Sequence, residues 1–379
     1  MRIYFYTGYL SRGGLETVLA ITANELAKRG HDVRVLCAGV LPGSPEAYFR
    51  SLPCFVDCSL EVGDAYPERQ AGPSGTPGTA VFSAASPGSE ILPVLQLQSI
   101  LQKLPEPDVI VAVHMPLTNA IARSAAKRLA RRTPIVSWIH NPLNRLASPG
   151  AIRYADAHLA ISSGIGRQLE QLMPDKPVTI VHNPIPDGGG TKIQRAGRPT
   201  FLYMGRLDNE QKRLDVMLQA FGQLRGLDWR LDVYGSSLGD NGREEEALTH
   251  MAAGLGIAGN IRWHGWVSSP WNAVQEATAL LLTSDYEGFP MVLGEALARG
   301  LPVIASRCDT GPEDLVLPGV NGYLFQPGQP HDLAELLRAV IYGELSLPSA
   351  EVCAASVSQF AVSQVIDKFE QALRLAANP

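Results

Sequence analysis

The sequence predicts two doubly wound α/β domains in tandem. Three observations carry the prediction. Short apolar runs with strand character alternate with segments of helical periodicity. The alternation stops at 184–199 and restarts at 200. The length, 379 residues, suits two to three domains at about 150 residues each.

The first run, RIYFYT (2–7), reads as a buried strand opening onto a turn that ends Ser11-Arg12-Gly13-Gly14. Leu15, Val18, Leu19, Thr22, Ala23 and Leu26 then recur at i, i+3, i+4 spacing, the mark of an amphipathic helix. Gly30 stops it, and VRVLCA (33–38) supplies a second strand, completing a βαβ unit. Residues 62–90 are rich in Gly, Pro, Ser and Ala and are predicted as a loop or insertion. Order resumes with a helix near 94–103, strand 108–114, helix 117–132, strands 134–140 and 158–162, a helix near 164–172 and strand 178–183. Apolar periodicity is lost over 184–199, which is read as the domain linker. Strand TFLYMG (200–205) opens the second alternation, with helix 213–225, strand 229–235, helix 243–254, strand 260–265, helix 270–276, strand 277–284, helix 290–299 and strand 301–306. Helices near 312–316 and 331–343 follow. The expected domains are 1–186 and 187–359. In the tail, Val362, Val365, Ile366, Phe369, Ala372 and Leu373 form a one-sided helix that must dock on a domain, so 360–379 is expected to return to the first.

Composition excludes several classes. With 45% hydrophobic and 18% charged residues the chain is neither disordered, fibrous nor a coiled coil. The net charge of −5 argues against a basic nucleic-acid binder. Residues 1–186 carry 17 Lys and Arg against 14 Asp and Glu; residues 187–379 carry 15 against 23. The halves therefore have opposite sign and are expected to meet different partners. No run of 18 apolar residues is present and MRIYFYTG lacks a signal-peptide pattern, so a cytoplasmic location is expected. The five cysteines are scattered and read as reduced structural thiols.

Asp285-Tyr286-Glu287-Gly288-Phe289-Pro290 follows an apolar strand and precedes a helix that Gly300 and Pro302 close. Pro290 suits a first turn, because its missing N–H is not needed there. Glu287 then lies just before a helix N-terminus, and Glu295 lies about five residues inside, roughly 7–8 Å along the axis. Between the carboxylates lie free backbone N–H groups and the positive end of a helix dipole. A ligand with hydroxyls at both ends and phosphates between them, such as a nucleotide sugar, fits that spacing. An N-cap acid followed by a solvated helical Glu fits it too.

Arg206 follows a strand end and Lys212 precedes the next helix. Two such cations could neutralise a diphosphate, or could be surface charges. Gly13-Gly14 before the first helix would let phosphate approach backbone N–H groups, although glycine at a helix start is common. His114 and His140 each end a strand and are expected to face a cleft between the domains; a structural role is the alternative for both. His264, His31 and His182 are read as structural, turn and hinge residues. No Asp-x-Asp, HExxH or CxxC pair occurs, so no metal site is expected. Tyr6-Thr7-Gly8-Tyr9 with Gly13-Gly14 does not match the dinucleotide fingerprint of a dehydrogenase with its acidic partner about 20 residues on.

On these residues the chain resembles the retaining glycosyltransferases of family 4, which have the GT-B fold. The resemblance rests on GGLETVLAITANELAKRGHDV, FLYMGRL, GLPVIAS, GPEDLVLPGVNGYLFQPG and EGFPMVLGE, the last being the family's E-x7-E motif. It covers nearly the whole chain apart from about 40–90. YADAHLAISSGI, QKRLDVM, GWVSSPW and CDTGPEDLVLPGVNG are most similar to the subgroup that adds galactose to lipopolysaccharide core from UDP-galactose.

The resemblance implies two Rossmann-like domains and a set of roles. Glu287 would contact donor-sugar hydroxyls, and Glu295 the nucleotide ribose. Arg206 and Lys212 would bind the diphosphate, with Gly13, Gly14 and the Gly288-Phe289-Pro290 turn approaching the donor. His114 would match the cleft histidine near the donor sugar. The chain departs from the family at Arg213, where Lys-Gly is frequent, and this leaves open which cation contacts phosphate more tightly. The implied activity is transfer of a hexose from a UDP-sugar co-substrate to a lipid-linked glycan, without a metal or other cofactor and without nucleic acid. The basic run Lys127, Arg128, Arg131, Arg132 would meet an anionic membrane or acceptor, or be simply a solvated helix end. A UDP-sugar epimerase or phosphorylase would act without an acceptor sugar. A non-catalytic nucleotide-sugar binder would need no cleft histidine.

Overall fold

The computed structural model describes residues 1–10, 13–40, 55–57, 91–187, 192–237 and 242–378. The segment 62–90, Cys54, Cys58, Ser11, Arg12 and residues 188–191 of the expected linker lie outside the described residues.

Two compact units emerge from the contacts: Met1–Pro184 with Val362–Pro379, and Ile185–Ala361. The first is built on a parallel sheet of seven strands, β1 (Arg2–Leu10), β2 (Asp32–Val40), β3 (Phe55–Asp57), β4 (Val109–Val113), β5 (Ile135–Ile139), β6 (Ala157–Ala160) and β7 (Val178–Ile180). Their order is β3-β2-β1-β4-β5-β6-β7. The order reverses between β1 and β4, the switch point at which such sheets bind ligands beyond the strands' carboxyl ends. Every residue of β4 and β5 is buried, as expected of strands covered by helices on both faces.

The helices of this unit are α1 (Gly14–Lys28), α2 (Ile91–Lys103), α3 (Pro116–Ala126) and α4 (Ser163–Leu172). In α1 the predicted stripe is buried at Val18, Leu19, Thr22, Ala23 and Leu26. Helix α3 stops at Ala126, short of the predicted 132. The basic run lies beyond it, and two of its cations are paired. Arg131 reaches Asp108 at 2.6 Å, and Arg132 reaches Asp156 at 2.6 Å. Beyond the helix end the Ala130 N–H donates to Glu106 Oε1 at 2.6 Å.

The second unit carries helices α5 (Leu214–Gly222), α6 (Arg243–Gly254), α7 (Pro270–Ala273), α8 (Met291–Ala298), α9 (Pro312–Leu315), α10 (Pro330–Ile341) and α11 (Ala350–Ser356). Its six-stranded parallel sheet runs β11-β10-β9-β13-β14-β15. The strands are β9 (Thr200–Met204), β10 (Arg230–Tyr234), β11 (Ile261–Gly265), β13 (Ala279–Leu282), β14 (Val303–Ser306) and β15 (Gly322–Phe325). A two-residue pair, β8 (Gln194–Arg195) with β12 (Glu276–Ala277), stands apart. This sheet's switch point falls between β9 and β13. Phe201, Phe221 and Trp229 centre its core.

Much of 185–199 is integrated into the second unit, contrary to its reading as a linker. Ile185 donates its N–H to Phe360 O at 2.8 Å. Its side chain fills a notch that only glycine leaves: a Cβ on Gly294 would stand 2.1 Å from Ile185 Cδ1. Periodicity could not reveal this, because the anchor is one side chain in one hole.

The last helix, α12 (Val362–Ala377), belongs to the first unit. It buries Val365, Ile366, Phe369, Ala372 and Leu373. Phe369 packs edge-on against Trp138 at 4.9 Å and lies 6.1 Å from Phe5. At its rim Arg29 contacts Asp367 at 2.6 Å and Glu370 at 3.2 Å. Cys37, Cys308 and Cys353 are buried, the last two as free thiols.

Candidate active site

In the second unit, the loops after β9 and β13 flank the switch point. Gly205 follows β9 and is crossed by Gly235, whose φ is +146°. A Cβ on Gly235 would stand 1.8 Å from Gly205 O, so only glycine fits. This close crossing sets the path of the next residue. The Arg206 carbonyl accepts from Tyr203 Oη at 2.6 Å, while its exposed guanidinium donates to Gln211 Oε1 at 2.9 Å. Gln211 Nε2 in turn donates to Tyr286 O at 3.1 Å, tying the first loop to the second.

The two loops meet in a buried ion pair. Lys212 Nζ lies 2.6 Å from Glu287 Oε1, and Ser284 Oγ donates to the same oxygen at 2.6 Å. Glu287 is only 6% exposed. Thr310 Oγ1 donates to the Glu287 carbonyl, and Thr283 Oγ1 to the Lys212 carbonyl at 2.8 Å. The second oxygen of Glu287 has no hydrogen-bond partner among the described residues. Burial pushes the neighbouring Cys308 thiol up to about 12, with Glu287 adding to the effect, so it stays a neutral thiol.

Arg213 takes a left-handed conformation, φ 51°. Its Nε and Nη2 bond Asp215 at 2.9 and 3.0 Å, and Nη1 bonds Asp285 at 2.8 Å. Those bonds raise its pKa further. Arg213 is therefore engaged by two carboxylates, whereas Arg206 keeps an exposed face.

Pro290 caps α8 from one residue before its first turn. Gly288, Phe289 and Pro290 are buried, with Phe289 edge-on to Phe360 at 5.4 Å. Gly311 presses on this turn with φ +90°; a Cβ there would lie 2.7 Å from Pro290 Cδ and 2.9 Å from Gly288 O. Glu295, the fifth residue of α8, accepts from Trp271 Nε1 at 2.8 Å.

In the first unit the switch point is flanked by Gly13-Gly14 at the start of α1 and by His114 after β4. Gly13 and Gly14 are exposed, and no side chain among the described residues caps the helix. His114 is left-handed, φ 66°, with its N–H donated to Trp138 O at 2.8 Å. Its Nδ1 is buried without a partner among the described residues. Burial lowers its pKa to about 4. His140 is buried with Nε2 unpartnered among the described residues. Its ring lies 6.3 Å from that of His114 and 4.4 Å from that of Trp138. Burial, then the charge of a protonated His114, pushes His140 well below the usual imidazole range. Both rings are neutral near pH 7.

Known proteins match both units. The model of Glycosyltransferase Family 4 matches residues 12–187, and that of Glycosyl transferases group 1 matches 192–355. The lipopolysaccharide 1,6-galactosyltransferase of Escherichia coli (strain K12) is 34% identical over 276 residues, covering 71% of this chain and 75% of that one. This chain belongs to the family 4 glycosyltransferases. The Salmonella typhimurium lipopolysaccharide 1,6-galactosyltransferase is 37% identical over 249 residues, covering 63% and 67%. Among solved structures, the apo form of the lipopolysaccharide outer core galactosyltransferase WaaB matches with a TM-score of 0.78 and 27% identity over 99% of each chain. Anabaena HepE in complex with UDP and glucose matches with a TM-score of 0.76 and 18% identity, covering 99% of this chain and 100% of that one. That second likeness concerns the fold, which is GT-B: two Rossmann-like units.

In this glycosyltransferase the second unit brings together Arg206, Lys212, Glu287 and the 288–290 turn. Glu295 stands apart along α8, facing Trp271. The first unit gathers His114, His140 and the glycine pair at one sheet end. His264 contacts Asp232 at 3.2 Å and stacks on Tyr234 at 4.1 Å. Sequence reasoning missed Ser284, Gln211 and Trp271 as supports of the site. Ser284 lies three residues before Glu287, a spacing that could have found it; Trp271 and Glu295 are 24 apart and carry no local signal. No group of three metal-ligating side chains occurs among the described residues, and none of their helices is long and apolar enough to cross a membrane.

Proposed function

We propose that this glycosyltransferase moves a hexose, galactose or glucose, from a UDP-sugar to a sugar hydroxyl of lipopolysaccharide core or another lipid-linked glycan, with retention of anomeric configuration. The observation that carries the reading is the Lys212–Glu287 pair beside exposed Arg206, at the switch point of the second unit. It sets two cations and one half-satisfied carboxylate where a diphosphate and a sugar would lie side by side. Two relatives at 34% and 37% identity, both lipopolysaccharide 1,6-galactosyltransferases, support galactose and a lipopolysaccharide acceptor.

In the proposed reaction the bond from the sugar's anomeric carbon to the β-phosphate oxygen breaks through an oxocarbenium-like state. The electron pair leaves with UDP, and Arg206 and Lys212 stabilise the charge that develops. The acceptor hydroxyl attacks from the same face, and its proton passes to the departing phosphate oxygen. Glu287 orients sugar hydroxyls through its uncapped oxygen and forms no covalent bond. His114 offers a neutral imidazole to a donor hydroxyl. The cations take the electrostatic role that a metal has elsewhere, so no metal ion is required. Lys127 and Arg128, exposed beyond α3, are the candidates for contact with an anionic membrane at the cytoplasmic face.

Incubation with UDP-galactose, UDP-glucose and UDP-N-acetylhexosamines, with and without deacylated lipopolysaccharide, tests the reading. Acceptor-dependent UDP release, unchanged by EDTA, is the expected result. Donor epimerisation without acceptor would favour the epimerase alternative. UDP binding without turnover on any acceptor would favour a non-catalytic binder.

A further inference from the structure

Glu295 is held by a residue with no assigned part in the site. Trp271 lies on α7, a helix of four residues. It is 9% exposed, and its Nε1–H donates to Glu295 Oε2 at 2.8 Å. The ring is in turn covered by Arg299, whose guanidinium carbon lies 4.8 Å from the ring centroid. Arg299 is fixed by its own bond, Nη1 to Glu295 O at 2.9 Å. Burial lowers its pKa, and Glu295 and then Asp187 oppose that shift. Carboxylate, indole and guanidinium thus close a ring: Glu295 accepts from Trp271, Trp271 stacks on Arg299, and Arg299 returns to the Glu295 backbone.

The consequence is geometric. A free Glu side chain samples several rotamers and can present either oxygen. With Oε2 committed to the indole N–H, the rotamer is fixed and Oε1, which has no partner among the described residues, is the oxygen left for a ligand. An acceptor held in one place serves a hydroxyl donor well, because ordering it on binding costs little. A second indole proton is not available, so the indole cannot itself compete for Oε1.

We propose that Trp271 is a positioning residue for nucleotide recognition: its N–H aims Glu295 at the ribose hydroxyls of the UDP moiety and so sets the preference for a ribonucleotide. This rests on the proposed UDP-sugar donor, with Glu295 on its ribose. Trp271 itself touches no part of the nucleotide. Arg299 serves by clamping the indole face, so α7 needs no length of its own to hold its register.

The test measures the affinities of UDP and 2′,3′-dideoxy-UDP by calorimetry for the wild type, Glu295→Gln and Trp271→Phe. A hydroxyl donating to a carboxylate contributes about 1.5–3 kcal/mol, so the wild type should prefer UDP by about tenfold or more. Glu295→Gln and Trp271→Phe should each cut that preference to below about threefold, mainly by weakening UDP while dideoxy-UDP binding stays put. A merely structural tryptophan would weaken both nucleotides alike and leave the ratio unchanged. Should Trp271→Phe fail to fold, replacing Trp271 by β-(3-benzothienyl)alanine keeps the ring shape and deletes only the N–H. A wild-type preference that disappears in Glu295→Gln but survives intact in the Trp271 variant overturns the inference and leaves the ribose reading standing. No preference in the wild type overturns both.

Discussion

The two switch points of this chain are built from opposite materials. The first unit sets two neutral imidazoles, the part-buried His114 and the buried His140, at one sheet end, with Nδ1 of one and Nε2 of the other unpartnered among the described residues. The second sets a lysine on a glutamate and surrounds the pair with hydroxyl donors. Both are buried polar sites on the same kind of sheet. The first avoids the cost of buried charge by lowering the imidazole pKa values. The second meets that cost with a partner at 2.6 Å. A group kept neutral can donate and accept without repelling a phosphate or a sugar. A group kept charged can attract one.

The sharpest way to break this contrast is Lys212→Met. It leaves Glu287 buried without its cation, and loss of one partner of such a pair costs about 3–5 kcal/mol. The melting temperature should fall, and kcat/KM for the donor should drop by about 10²–10³. Arg206→Ala should lose comparable turnover with the melting temperature unchanged, because Arg206 is exposed. Equal stability in the two variants would mean that the ion pair does not hold the second unit together.

Acid separates the units next. His114 and His158 have pKa values lowered to about 4 in the fold, and His140 lies well below its usual range. The unfolded chain therefore binds more protons than the folded one once pH drops below about 6.5, and stability is lost from there down toward pH 4. Glu370, held down to about 2 chiefly by Arg374, adds a second loss as pH falls below about 4.5. Hydrogen exchange followed peptide by peptide should show the first unit opening before the second between pH 6.5 and 4. The reverse order would sink the assignment.

A smaller effect is expected from His114→Asn. Asn tolerates the left-handed backbone, so stability should hold. Donor turnover should fall about tenfold, the worth of one hydrogen bond of roughly 1–1.5 kcal/mol. The smallest is Arg213→Gly. It relieves a left-handed strain of about 1–2 kcal/mol and removes part-exposed ion pairs worth up to about 1 kcal/mol each. The melting temperature should shift by only a few degrees; a large fall would show that Arg213 braces the Lys212 loop.

The sheets were legible in the sequence because parallel strands are continuous apolar runs, and β4, β5, β9 and β13 all read that way. Strand β15 was not read, since Tyr323 and Leu324 are half-buried in a four-residue strand. Helix α11 and the β8–β12 pair are likewise too short for periodicity. Glu287 and Glu295 were placed correctly relative to α8, because a strand end, a proline and a glycine bracket that helix. Their partners were not legible. Lys212 was read as a diphosphate-binding cation or a surface charge, and only packing shows that it donates to Glu287. Trp271 came to Glu295, and Ile185 to Gly294, through tertiary folding, for which residue spacing has no signal.

Because α12 returns to the first unit, the polypeptide leaves that unit at 184 and re-enters it at 362. A ribosome finishes every residue of the second unit before it makes Phe369, which covers Phe5 and Trp138. The later-encoded unit can therefore mature while the earlier one still waits, with an open aromatic face, for its last helix. Biogenesis runs against the order of synthesis, and a chain stopped at 361 should expose its defect at the amino-terminal end.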